Sequence, residues 1–384
     1  MFLDSLLIFI YWLTFLLCLA SYFLYPLLIA LVGKFFPFVP AKDAWEPRVS
    51  IIIAAYNEER DIVHKIENCM DLDYPVDKLE ILIGSDGSTD ETVALAAQHS
   101  SQWVRVFDFS ENRGKTSVQN DLVAASRGEI LVFTDAASFL NANAIRSLVR
   151  NFVDARVGCV AGRMRFVNTD ENINTNSQGL YWRYEVKIRE LESALGRLIG
   201  VDGPLYAVRR DSYIPLEPQS ISDLLTPLLV LEKGKHVVLE SDAVVDEDPT
   251  RQSGQEFRTR RRITLRGLIG FATYRGLLNP FRNPFLAAQL CFHKVLRWFV
   301  GPLVILHVLA CAILLDRPFF AVAMILYIVF FLAALAGWVL DRRGGKNRFL
   351  TIPYYFSLVN LAATLGIVDF IRKKQATSWK PVRY

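Results

Sequence analysis

The sequence predicts an α/β fold: a wound, mostly parallel sheet with transmembrane and interfacial helices flanking it. Three observations carry that expectation. Short β-branched runs alternate with amphipathic stretches through the middle of the chain, a charge-free apolar run stands near its start, and three more apolar runs gather toward its end.

The first apolar run, residues 6–32, holds no charged side chain and exceeds the about 20 residues that a helix needs to cross a bilayer. A cleaved secretory signal has a core of only about 7–15 apolar residues after a basic start, and here the start carries Asp4. In the middle, residues 49–54 read as a strand closed by a polar turn at 56–59, followed by a helix over 60–71. A loop with Pro75 leads to a strand over 79–84, and a helix opens at 86–90 and runs to 99. A strand over 103–107, a helix over 114–126 and a strand over 130–134 complete the series. Strands alternating with helices of about 10–15 residues imply a wound sheet covered on both faces. The later apolar runs, 295–315, 319–340 and 350–371, have the length of membrane helices rather than of core helices. The chain thus divides into an N-terminal membrane segment (1–40), a cytosolic domain (41–255), Arg-rich and interfacial helices (256–292) and a C-terminal membrane region with a basic tail (293–384).

Charge placement points to a membrane and away from nucleic acid. The net charge is only +4, and the basic residues cluster at 258–266, 342–348 and 372–374, each beside an apolar segment. That arrangement suits anionic lipid headgroups, and no base-stacking module accompanies it. The five cysteines show no CxxC spacing, so neither a zinc site nor a disulfide framework is expected, in keeping with a reducing compartment. The positive-inside rule places the middle domain and the 342–348 loop in the cytosol of a bacterial-type cytoplasmic membrane. A fourth full crossing would put the basic tail outside, against the same rule. Either 350–371 does not cross fully or the tail is an exception.

In wound sheets ligands collect where strands end at their carboxyl edge. Three polar clusters fall there: Tyr56-Asn57-Glu58, Ser85 to Ser88, and Asp135. Each alone is also ordinary turn chemistry; together they favour a binding crevice. Tyr56 can stack on a base, and Glu58 can take a base or ribose donor. Asp86 can reach such a donor or cap the next helix, a task open to Ser88 or Asp90 as well. Lys115 offers a cation near phosphate or is a solvated residue at a helix start.

The ordered set SIIIAAYNEE (50–59), SDGSTD (85–90), NRGK (112–115) and FTD (133–135) resembles family 2 glycosyltransferases, which have the nucleotide-sugar fold called GT-A. The nearest likeness is the membrane-embedded branch similar to cellulose, hyaluronan and poly-N-acetylglucosamine synthases. The resemblance implies a UDP-linked nucleotide-sugar donor, a divalent cation (Mg2+ or Mn2+), and a glycan or lipid acceptor at the membrane. It assigns Asp86 to the nucleoside and Asp135 to ribose and metal. The second acid of the family's Asp-x-Asp is missing, because Ala137 stands there. ISDLLTPL (221–228) is similar to the segment that supplies the base of an inverting transfer; Asp223 is kept as the expected base, and Ser222 replaces the preceding acid. VDGPLY (201–206) resembles the loop that lines the acceptor, which makes Asp202 and Gly203 acceptor-side candidates. Arg258, Arg262 and Arg266 share a helical face. Arg262 matches the diphosphate-binding Arg of the Gln-x-x-Arg-Trp motif of processive relatives, whereas the Gln and Trp are absent. The same cluster also reads as a membrane-surface anchor. The expected activity is inverting sugar transfer, with polysaccharide synthesis slightly favoured over transfer of one sugar to a membrane lipid. A non-catalytic nucleotide-binding membrane subunit is the reading from another class.

Overall fold

The structure, a computed structural model, describes residues 2–167, 173–247, 253–345 and 347–374. Its strands are β1 (Val49–Ala55), β2 (Leu79–Asp86), β3 (Val104–Phe109), β4 (Ile130–Asp135), β5 (Phe139–Leu140), β6 (Val157–Phe166), β7 (Leu205–Arg209) and β8 (His236–Glu247). They form one sheet in the order β3-β2-β1-β4-β7-β6-β8-β5. The first four strands pair in parallel, as the alternation of strand and helix requires. The far half is mixed: β7 runs antiparallel to both β4 and β6, and β5 runs antiparallel to β8.

Strand β1 lies centrally and is buried along its whole length, the pattern of a parallel strand covered on both faces. Ile51 and Ile53 pack on one face with Ile62 and Ile66 of helix Ile62–Met70. Ile52 and Ala54 pack on the other with Val118 and Leu122 of helix Lys115–Ala125. Each fully buried Ile or Leu contributes roughly 1.5–3 kcal/mol. A side chain at Gly84 would fall 2.4 Å from Val118 Cγ1, so glycine lets helix Lys115–Ala125 lie close on β2.

Four helices are long and apolar enough to cross a membrane: Phe2–Phe35, Pro284–Ile313, Pro318–Arg342 and Phe349–Ile371. The first two are each interrupted by a π turn, Ala20–Leu24 and Cys291–Val295. Helix Pro284–Ile313 begins before the expected start at 295 and runs through the segment boundary drawn at 292. Its first turns hold His293, Lys294 and Arg297, which break the apolar pattern yet face inward. Gly301 admits the partner helix closely, since a methyl there would meet Thr364 Oγ1 at 2.1 Å. His307 links the spans: its Nε2 lies 2.6 Å from Tyr327 Oη, and its ring stacks on Tyr11.

Amphipathic helix Ser253–Thr273 lies alongside helix Arg348–Ile371. Tyr355 Oη donates to Glu256 Oε1 (2.8 Å), and Arg261 donates two bonds to the Asp369 carboxylate (2.5 and 2.8 Å). Tyr354 Oη donates to Asp341 at the end of the preceding span (3.1 Å). The C-terminal helix is therefore held near both ends.

Candidate active site

Parallel pairing brings the ends of β1, β2 and β4 to one sheet edge, with Ala55 opposite Ser85 and Ala54 opposite Asp135. The loops there are laced together. Asn57, in the left-handed region at φ 55°, accepts the Thr89 N–H on Oδ1 (2.8 Å). Its own N–H donates to Ser88 Oγ (3.1 Å), and the Glu58 N–H donates to Thr92 Oγ1 (2.7 Å). Tyr56 is half-buried at this edge, and Glu58 is buried beneath the loop. Gly87 has φ 71°, and a methyl there would meet the Asn112 backbone nitrogen at 2.8 Å. Gly87→Ala should therefore lower stability by at least about 1–3 kcal/mol through backbone strain, read as a fall in unfolding temperature.

Asp86 is fully buried. It does not cap the helix that follows it. Its Oδ1 accepts the Arg113 N–H (2.7 Å) and its Oδ2 the Gly114 N–H (2.9 Å), which binds the loop that starts helix Lys115–Ala125. Burial raises the Asp86 carboxyl above its ordinary range, and these two amides oppose that rise. The loop it anchors presents Lys115, whose ammonium pairs with Asp135 at the end of β4. Beneath them Lys65 is completely buried; its Nζ donates to Thr134 Oγ1 (2.8 Å) and to the Ser138 carbonyl. It thus pins the turn that carries Asp135.

Asp223 enters from the first turn of helix Ser222–Glu232. Gly203 lies opposite, where a methyl would stand 3.2 Å from Asp223 Oδ2 and 3.7 Å from Lys115 Nζ. Among the described residues no side chain or N–H hydrogen-bonds the Asp223 carboxylate. Burial raises its pKa; the charges of Lys115 and Arg266 lower it, while Asp135 and Asp202 push it up. Asp202 is instead committed, paired with Arg189 of helix Ile173–Ser193. Arg262 and Arg266 both feel the Asp223 charge. Arg266 donates to the carbonyls of Gln219 and Ser220, and so holds the loop before Asp223. Arg262 makes no side-chain hydrogen bond or ion pair among the described residues, and Arg258 is exposed.

One edge thus collects buried loop anchors, a lysine–aspartate pair, an open carboxylate and an open guanidinium. A model of glycosyl transferase family 2 matches residues 50–214, which hold the strand ends and the Lys115–Asp135 pair; Asp223 and Arg262 lie beyond that match. The chain carries a family 2 glycosyl transferase domain. It is 29% identical over 170 residues to a beta-monoglucosyldiacylglycerol synthase of Nostoc sp., covering 43% of this chain and 36% of that one. A chondroitin synthase of Escherichia coli is 34% identical over 138 residues, 35% of this chain and 20% of that one. The match spans about a third or less of the length of these curated relatives. A mannosyltransferase of Pyrobaculum calidifontis, solved with GDP-Man and Mn2+, shares the fold: TM-score 0.70 at 24% identity, over 95% of this chain and 100% of that one.

For a family 2 domain the donor set around Asp135 is sparse. No group of three His, Cys, Asp or Glu side chains gathers among the described residues, and Ala137 contributes nothing. A partly exposed carboxylate at the end of β4 still fits a hard cation held mainly by diphosphate oxygens and water. The sequence reading missed Lys65, Arg189 and the inward-facing Lys294 and Arg297. The signal for Arg189 was a Glu185-Arg189-Glu192 spacing that puts three charges on one helical face. Charges at the start of an apolar run resemble interface anchors, which hid the other two.

Proposed function

We propose that this chain is an inverting glycosyltransferase that moves a sugar from a nucleoside diphosphate donor, UDP-linked by its family resemblance, to a lipid-carried acceptor at the membrane. The observation that carries this reading is the open Asp223 carboxylate at the mouth of a cavity of about 270 Å³, which also takes in Tyr22, Tyr181 and Val359. Those three residues belong equally to a mostly apolar groove of about 480 Å³ bordered by helix Ile173–Ser193 and the apolar helices Phe2–Phe35 and Phe349–Ile371. The shared wall supports a path from this groove to the carboxylate. This favours a lipid acceptor over the polymer, whose bordering Trp is replaced by Ile263.

The acceptor hydroxyl enters from the groove side and attacks the anomeric carbon as its proton passes to Asp223. The bond from that carbon to the diphosphate oxygen breaks, and the electron pair leaves with the nucleoside diphosphate. Lys115 and Arg262 meet the leaving charge. A divalent cation at Asp135 would offset more of it. Tyr56, Glu58 and Asp86 border the nucleoside end, while Asp202 and Gly203 shape the acceptor side.

The test is release of nucleoside diphosphate from a panel of sugar nucleotides with Mg2+ or Mn2+, using purified protein in detergent with membrane lipid. One-sugar lipid products are expected; long chains would restore the polymer reading, and nucleotide binding without turnover with any donor would point to a non-catalytic subunit. Because burial raises Asp223, the acid limb of kcat should lie above the ordinary aspartate range, with activity gained as pH rises through it. Lys115→Met removes a charge that lowers this pKa, so the limb should shift to higher pH. A pH profile of the variant checks the direction.

A further inference from the structure

We infer that the cavity below Asp223 recognises an anionic, phosphate-type headgroup of the acceptor lipid, an inference that rests on the lipid reading above. Its polar wall is made by Arg189, Lys294 and Arg297, together with Glu185, Glu192 and Asp202. Every acid among these is partnered. Asp202 pairs with Arg189, and Glu185 pairs with both Arg297 and His293. Glu192 accepts from Tyr25 and lies 2.7 Å from His293 Nδ1.

The cations, in contrast, keep donors in reserve. Arg189 is 8% exposed, yet its Nε and Nη2 are buried without a hydrogen-bond partner, as is Arg297 Nε. Among the described residues Lys294 makes no side-chain hydrogen bond or ion pair. Its Nζ stands against the acceptor loop, 3.7 Å from where a methyl on Gly200 would lie. Leaving a buried donor unmet costs roughly 1–3 kcal/mol, so this wall calls for acceptor oxygens. A sugar or glycerol hydroxyl would bring further donors to a wall whose carboxylates, apart from the reactive Asp223, are already paired. Phosphate oxygens only accept, and guanidinium and ammonium groups match them.

The backbone supports the same site. Two π turns frame it: Cys291–Val295 turns His293 and Lys294 inward, and Ala20–Leu24 contributes Tyr22. Such turns recur where helices are reshaped for function. Ionisable groups at membrane depth are costly and therefore mark ligand paths. The adjoining groove, lined by Tyr22, Phe23, Tyr184 and Phe356, accommodates the apolar chain.

The test is lipid retention by the full-length protein in maltoside detergent, read by native mass spectrometry with no donor present. The probes are dioleoylphosphatidic acid, dioleoylglycerol and inorganic phosphate. Phosphatidic acid should be retained about tenfold or more over dioleoylglycerol, the size of one charge-assisted hydrogen bond. Lys294→Met should erase that preference, and Lys294→Arg should keep it. Millimolar inorganic phosphate should fail to displace the phospholipid. Equal retention of the two lipids by the native protein would overturn the inference, and so would an unchanged preference in Lys294→Met. Displacement by free phosphate would overturn its lipid half. If Lys294→Met does not fold, the native preference and Arg189→Lys, which should weaken it, still decide. Because no transfer is measured, an intact preference alongside absent turnover would remove the reading in the preceding section, while a lost preference with intact lipid glycosylation would remove this one.

Discussion

Asp223→Asn is expected to slow sugar transfer by about 10²–10⁴-fold, the range that a positioned general base contributes, while donor affinity stays near the native value. The substitution keeps the shape of the side chain and removes only its basicity. Because the Asp223 carboxylate accepts no hydrogen bond from the described residues, the amide breaks no native contact there. The neighbouring charges of Lys115 and Arg266 lose a partner, but Arg266 remains bound to the Gln219 and Ser220 carbonyls. Donor affinity by calorimetry and single-turnover transfer separate the two effects. Native-rate transfer by this variant would move the base elsewhere on the acceptor loop.

Asp86→Ala is expected to weaken donor binding by roughly tenfold or more, since it leaves the buried N–H groups of Arg113 and Gly114 without acceptors at about 1–3 kcal/mol each. The loop would then release Lys115 from Asp135, and with it the cation aimed at the diphosphate. Asp86→Asn retains one good acceptor and should fall between native and Ala. Competition experiments distinguish this route from direct contact with the nucleoside. An effect through the loop weakens inorganic pyrophosphate and uridine nucleotides together. A direct contact, the role that its motif implies for Asp86, weakens the nucleoside part alone.

The wound half of the sheet was legible because period and composition coincide there. Runs such as Val49–Ala55 are β-branched throughout, and a parallel strand covered on both faces needs that. Polar clusters at 56–59, 86–90 and 135 were legible as an edge, because the carboxyl ends of parallel strands share one side of the sheet. The far half was not legible. Strands β6 and β8 depend on pairings between residues about 80 apart in sequence, and no local pattern announces a register of that range.

The sequence alone determined which residue types stand at the strand ends, where the apolar spans lie, and that Ala137, Ser222 and Ile263 depart from the family motifs. These are local matters of composition and spacing. Tertiary structure decided which of the candidate groups remain open. It placed the Asp86 carboxylate on two amides, paired Asp202 with Arg189 and Lys115 with Asp135, and left Asp223 and Arg262 without hydrogen-bond or ion-pair partners among the described residues. It also set Lys294 and Arg297, which stand in an apolar run of the sequence, in the wall of a cavity. Hydrogen bonding and burial depend on what the rest of the chain brings alongside a side chain, and only the packed fold supplies those neighbours.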